Sequence, residues 1–154
     1  MLFRSKISRY LNKRKLVPAA FRGTDKFIDI VSWNLRWFDH RDPRRVKAIT
    51  EVMDELNSDM FVLTEVAEDG ALDQVIQQLE KKKAGYYSSH YGTTGGQQRV
   101  VLMWDRDWVR AKKDIAELFA DEHLETLAED DRKADVFPRL PLWGYFEARP
   151  SALT

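Results

Sequence analysis

The chain has 154 residues, a formal net charge of zero, 44% apolar and 12% aromatic residues, and no cysteine. That length suits one domain with a buried core, and the composition excludes a disordered chain, a disulfide scaffold and a thiolate metal site. The balanced charge excludes a generic polyanion binder, although bases crowd positions 1–24, ahead of the first acid at Asp25, and acids crowd positions 117–131.

Residues 1–24 read as a basic N-terminal arm outside the domain. Leu2, Phe3, Ile7, Tyr10 and Leu11 fit one face of a short helix that Pro18 and Gly23 would end. A solvated tail is the plainest reading of it; a nucleic-acid-contacting arm, a membrane-surface helix and an organelle presequence also fit. No apolar run approaches the roughly 20 residues needed to cross a bilayer. Arg4, Lys6 and Arg9 interrupt any secretory apolar core, so the expected location is cytoplasmic.

From Lys26 strand and helix patterns alternate. Residues 27–33 are rich in β-branched side chains and predict a strand. Asp42 followed by Pro43 predicts a helix N-cap and first turn, and Val46, Ile49, Met53 and Leu56 continue at helical spacing to a break at Asn57-Ser58. Residues 59–64 predict a second strand. Gly70 opens a second helix with Leu72, Val75, Ile76 and Leu79 on one face, closing in Lys81-Lys82-Lys83 beside the negative end of its dipole. Residues 86–91 and 99–104 read as a hairpin around the glycine-rich turn at 92–96. Residues 108–115 and 141–148 read as further strands, separated by an acidic insertion near 117–135 with Leu118, Leu124, Leu127 and Ala128 at helix-compatible positions. Together these elements predict an α+β fold, one mixed sheet with two helices on its outer face.

The first two strands end on polar residues, Asn34 after Ser32-Trp33 and Glu65 after Leu63-Thr64. An amide and a carboxylate at one rim of a sheet suit a hard cation facing a phosphoester, since Mg2+ keeps several waters and is completed by phosphate oxygens. An ordinary turn cap would equally explain Asn34, and a surface position would explain Glu65.

Four segments stand in order: Ser32-Trp33-Asn34-Leu35-Arg36, Leu63-Thr64-Glu65-Val66, Gly95-Gly96-Gln97-Gln98-Arg99-Val100-Val101-Leu102, and Phe137-Pro138-Arg139-Leu140-Pro141-Leu142. In this order and spacing the chain, from about Lys26 to Arg149, resembles the endonuclease/exonuclease/phosphatase superfamily, the fold of pancreatic-type deoxyribonuclease I and exonuclease III. The resemblance implies that Glu65 is the metal-binding glutamate and that Asn34 helps to hold metal or scissile phosphate. It implies phosphate-binding roles for Arg36 and Arg139, and more weakly for Arg99, in keeping with the bidentate fit of a guanidinium to phosphate. It also implies Mg2+, with Mn2+ as a substitute, and a nucleic-acid substrate. Arg139 could instead only fix the backbone between two prolines. Trp33, Trp104 and Trp143 fit strand cores better than base-stacking platforms.

The sequence departs from the family in two ways. Thr64 stands where glutamine often precedes the metal glutamate, a small change because a hydroxyl still hydrogen-bonds. The larger departure is that no Gly-Asp dipeptide occurs, no asparagine follows Asn57, and no histidine follows His123. The family's second half supplies a histidine with its aspartate, a Gly-Asp-x-Asn run and a final Ser-Asp-His, which activate water and complete the phosphate site. The expectation is therefore the N-terminal half of a deoxyribonuclease I-like α-β-β-α sandwich, spanning 25–154. Such a half would be nearly inactive alone and would associate with a missing second half or with itself through its sheet face. The alternatives are a non-catalytic half-domain that binds a partner, and a phosphatase or phospholipase branch of the same superfamily.

Overall fold

A computed structural model describes residues 16–24, 26–118 and 139–149. Its main sheet has four strands in the order β1-β2-β4-β3. β1 (Ile30–Phe38) and β2 (Met60–Val66) run parallel, joined by α1 (Pro43–Leu56). β4 (Arg99–Asp105) lies antiparallel to β2 and to β3 (Tyr87–Tyr91), and α2 (Asp73–Lys81) links β2 to β3. The mixed sheet and helix pair are those expected from the pattern, and the β3–β4 hairpin closes the far edge.

Local chemistry sets the helix ends. Asp42 caps α1 by accepting from the Arg44 N–H at 3.0 Å, with Pro43 in the first turn, where its missing N–H costs nothing. Asn57 ends α1 in the left-handed region at φ 51°, a conformation asparagine tolerates better than most residues. Gly70 does not open α2. It holds φ 74° in a turn whose carbonyl accepts from the Asp73 N–H, so the helix starts three residues late.

Period-two alternation decides which face is covered. Val31, Trp33, Phe61, Leu63, Val101, Met103, Tyr87 and Tyr91 face the helices and join Val46, Ile49, Met53, Val75 and Leu79 in one core. Burying a side chain such as Phe61 or Met53 is worth about 1.5–3 kcal/mol. The opposite face carries Ile30, Met60 and Trp104 in one cross-strand row, with Ser32, Val62 and Leu102 in the next. Its β4 side is covered: the Trp104 ring packs edge-on against Phe146 at 5.3 Å. Gly144 approaches Leu102 so closely that a Cβ there would stand 3.3 Å from the leucine methyl. Its β1 edge is open, with Ile30 61% exposed.

Several sequence expectations need correction. β1 starts at Ile30 and runs on to Phe38, leaving Phe27 exposed. The expected strand at 108–115 is only β5 (Val109–Ala111), followed by β6 (Ala116–Glu117). That at 141–148 breaks at Gly144-Tyr145 into β7 (Leu142–Trp143) and β8 (Phe146–Ala148), because the two halves pair with different partners, β6 and β5. Residues 16–24, read as part of an arm, are docked on α1. The Glu55 carboxylate accepts from the Leu16 and Val17 N–H groups at 2.6 and 2.7 Å, and the Gly23 N–H donates to the Leu56 carbonyl. Most of the acidic insertion, and the rest of the basic arm, lie outside the described residues. No helix among the described residues is long and apolar enough to cross a membrane.

Candidate functional site

β1 and β2 pair in register from Ile30–Met60 to Asn34–Thr64, then lose it, regaining it at Phe38–Val66. Between those last two pairs, residues 35–37 of β1 face Glu65 alone. On its other side β2 slips against β4 at the same level, between the Leu63–Val101 and Val66–Arg99 pairs. Two neighbouring strands therefore bulge together at one rim. The bulges hold three non-glycine residues in the left-handed region: Arg36 at φ 48°, Trp37 at 55° and Glu65 at 57°. Such conformations cost of order 1–3 kcal/mol each and gather where a site needs an unusual side-chain direction.

The bulges bring the two principal sequence-predicted residues together. Asn34 Nδ2 donates to Glu65 Oε1 at 2.9 Å, while Asn34 Oδ1 accepts from the Arg36 N–H at 2.7 Å. This fixes the amide orientation, since the reversed amide would set oxygen against carboxylate and N–H against N–H. Asn34 thus serves as a donor to Glu65, and one lone pair of its oxygen is taken by backbone. The second Asn34 N–H has no acceptor among the described residues. Glu65 Oε2 has no hydrogen-bond partner among the described residues. A half-exposed carboxylate with one oxygen oriented and one open fits Mg2+, which takes few protein ligands and keeps its waters. Among the described residues no group of three or more histidine, aspartate or glutamate side chains could hold a metal.

Sequence reading missed Arg45. From the first turn of α1 its guanidinium donates to the carbonyls of Leu35, Arg36 (2.7 Å) and Trp37 (3.2 Å). Those are the carbonyls that the bulge turns out of the β ladder, and they need donors. Its position beside Val46 in the apolar stripe gave no signal, because periodicity marks burial and not polar capture.

The three predicted arginines sit in different surroundings. Arg36 is exposed beside Asn34, and its guanidinium has no partner among the described residues. Arg99 pairs across β2 with Val66, next to Glu65, but its guanidinium is paired with Asp69 and also donates to the Gly96 carbonyl. Arg139 packs on the β3–β4 turn, where a Cβ on Gly95 (φ 90°) would collide with the arginine stem, and it donates to the Gln98 carbonyl at 3.3 Å.

Glu117, read as the start of the acidic insertion, instead locks this turn at the Glu65 end of the sheet. It accepts from the Thr93 and Thr94 N–H groups, both at 2.9 Å, and from their hydroxyls at 2.6 and 2.8 Å. Burial pushes its carboxyl up, but these hydrogen bonds outweigh burial and hold it below the ordinary value. Tyr91 accepts from the Leu72 N–H, and burial raises its phenol above the usual value. His40 Nδ1 lies 3.0 Å from Glu68 Oε1, just past the ends of β1 and β2.

No protein-family model matches the chain. No curated protein matches it significantly.

Proposed function

We propose that the chain carries part of an Mg2+-dependent phosphodiesterase site of the endonuclease/exonuclease/phosphatase type, built for nucleic acid, on one layer of a deoxyribonuclease I-like sandwich. One observation carries the reading: Asn34 and Glu65 meet at 2.9 Å where two adjacent strands bulge together. Left-handed residues gathered at one level of two strands are characteristic of sites that aim a side chain. Glu65 is the direct protein ligand to the ion, through its open oxygen. Asn34 orients that carboxylate and donates its remaining N–H to a phosphate oxygen, and Arg36 supplies to the same group a guanidinium that has no partner among the described residues. Arg139 and Arg99 flank the rim, Arg99 only if phosphate displaces Asp69. The bound ion would polarise the phosphoryl oxygen and stabilise the leaving oxyanion. Asn34 and the three arginines supply no general base and Glu65 is committed to the ion, so hydrolysis needs a further group to activate water.

The test combines metal binding with activity. Mn2+ titration followed by electron paramagnetic resonance should show one weak site in the wild-type chain and none in Glu65→Gln. Supercoiled plasmid with Mg2+ or Mn2+ should be nicked only at trace rates, because general-base catalysis alone is worth about 10²–10⁴-fold. Mn2+ binding unchanged in Glu65→Gln overturns the reading. Robust nicking lost in Glu65→Ala would keep the site and show that these residues suffice.

A further inference from the structure

Trp37 makes no sense as a core residue. It is 55% exposed, in a strand whose neighbours Leu35 and Phe38 are buried. Its indole donates no hydrogen bond and meets no aromatic ring among the described residues. Its backbone at φ 55° is unfavourable for a bulky side chain, yet Arg45 holds it there through the Trp37 carbonyl. Relaxing the bulge would restore the strand alternation and turn this side chain elsewhere. The fold therefore spends strain on presenting a large flat ring to solvent, three residues from Asn34.

Exposed cations crowd the sequence beside it, with Asp39 and Asp42 among them. Arg36, Arg41, Arg44 and Lys47 are all exposed. Arg44 is shared with Asp42 and Arg41 with Glu68, the latter at 3.9 Å, so the cationic heads remain within reach of solvent anions. An exposed flat ring next to a free cation such as Arg36 is the pattern that holds single-stranded nucleic acid: cations follow the backbone while the ring stacks a base. A duplex, whose bases are already stacked on each other, has no free face to offer the indole.

We propose that Trp37 is a base-stacking platform that takes an unpaired base of a single-stranded nucleic acid, with Arg36 on the adjoining phosphate. This rests on the phosphodiesterase reading for its phosphate but adds strand type, and its test needs no metal.

The experiment is anisotropy titration, without divalent metal, of a labelled oligothymidine strand, an abasic strand of equal length and a duplex. The wild-type chain should bind oligothymidine most tightly. Trp37→Asn, which suits left-handed backbone and lacks the ring, should lose about 5- to 150-fold on oligothymidine. It should leave abasic binding unchanged, and Trp37→Phe should recover part of the loss. Arg36→Gln should weaken both strands. Three results would overturn the proposal: equal binding by wild type and Trp37→Asn, equal losses on base-bearing and abasic strands, or tighter binding of duplex. Failure here with Mn2+ still bound at Glu65 would leave the phosphodiesterase reading standing. Loss of Mn2+ binding with stacking intact would do the reverse.

Discussion

The Arg45 guanidinium lies 5.6 Å over the centre of the Phe38 ring, and Phe38 is fully buried. The residue that closes the β1 bulge thereby also seats the side chain that holds the bulge open. Helix α1 and the rim are joined through this contact and through the Arg45 hydrogen bonds to the β1 carbonyls.

Arg45→Met keeps the aliphatic stem and removes every donor to the three carbonyls. Hydrogen bonds from a charged donor are worth about 1.5–3 kcal/mol net, so unfolding in urea should show a loss of about 2 kcal/mol. The Asn34 side-chain amide resonances should shift in the same variant. Unchanged stability and unchanged resonances would mean that the bulge stands without the clasp.

Glu117 should make stability depend on pH. Its folded carboxyl titrates below the ordinary value near 4.5, because the Thr93 and Thr94 hydrogen bonds outweigh burial. A depressed folded value contributes stability that is complete above the unfolded value and is lost as pH falls through the folded one. The gap in Tm between wild type and Glu117→Gln should therefore be widest near neutrality and shrink below about pH 4. A gap that is constant with pH would contradict the assignment.

Lys83 ends α2 in the left-handed region at φ 55°, with its N–H on the Glu80 carbonyl and the Ala84 N–H on the Leu79 carbonyl. This is the Schellman arrangement that glycine favours. Lys83→Gly should raise stability by about 1 kcal/mol, reduced slightly by losing a cation at the helix end. A lower urea midpoint would show that Lys83 holds its place by contacts worth more than the strain.

The open edge of the sheet face should make the chain self-associate. Ile30→Lys with Val62→Thr should lower the sedimenting mass at a given concentration, since Ile30 is exposed and the half-buried Val62 lies on the same sheet face. An unchanged distribution would place any association elsewhere.

Much of this architecture was readable from residue chemistry. Asp42-Pro43 and Asn57 marked both ends of α1, because caps and left-handed positions select particular side chains. Asn34 and Glu65 were readable as polar ends of apolar strands, and the structure joins them. The bulges were not readable: Arg36, Trp37 and Glu65 are not glycines, and their left-handed backbones come from tertiary contacts that no local pattern encodes. Arg45 was hidden for the same reason. The split between β7 and β8 follows from their pairing with different partners, β6 and β5, a constraint between segments distant in sequence.

β1 is the outermost strand of the main sheet among the described residues, and at nine residues it is one of the longest edges the fold could show. A straight edge of that length invites another chain to add itself by backbone pairing, the first step toward fibrous assembly. The turned-out residues 35–37 interrupt the run, and their carbonyls are occupied by Arg45. Only the segment from Ile30 to Asn34 keeps a regular ladder that a newcomer could copy. The bulge thus also works as a stop on templated growth, and a variant that straightens it, Arg45→Met first among them, should form fibrils sooner than the wild-type chain.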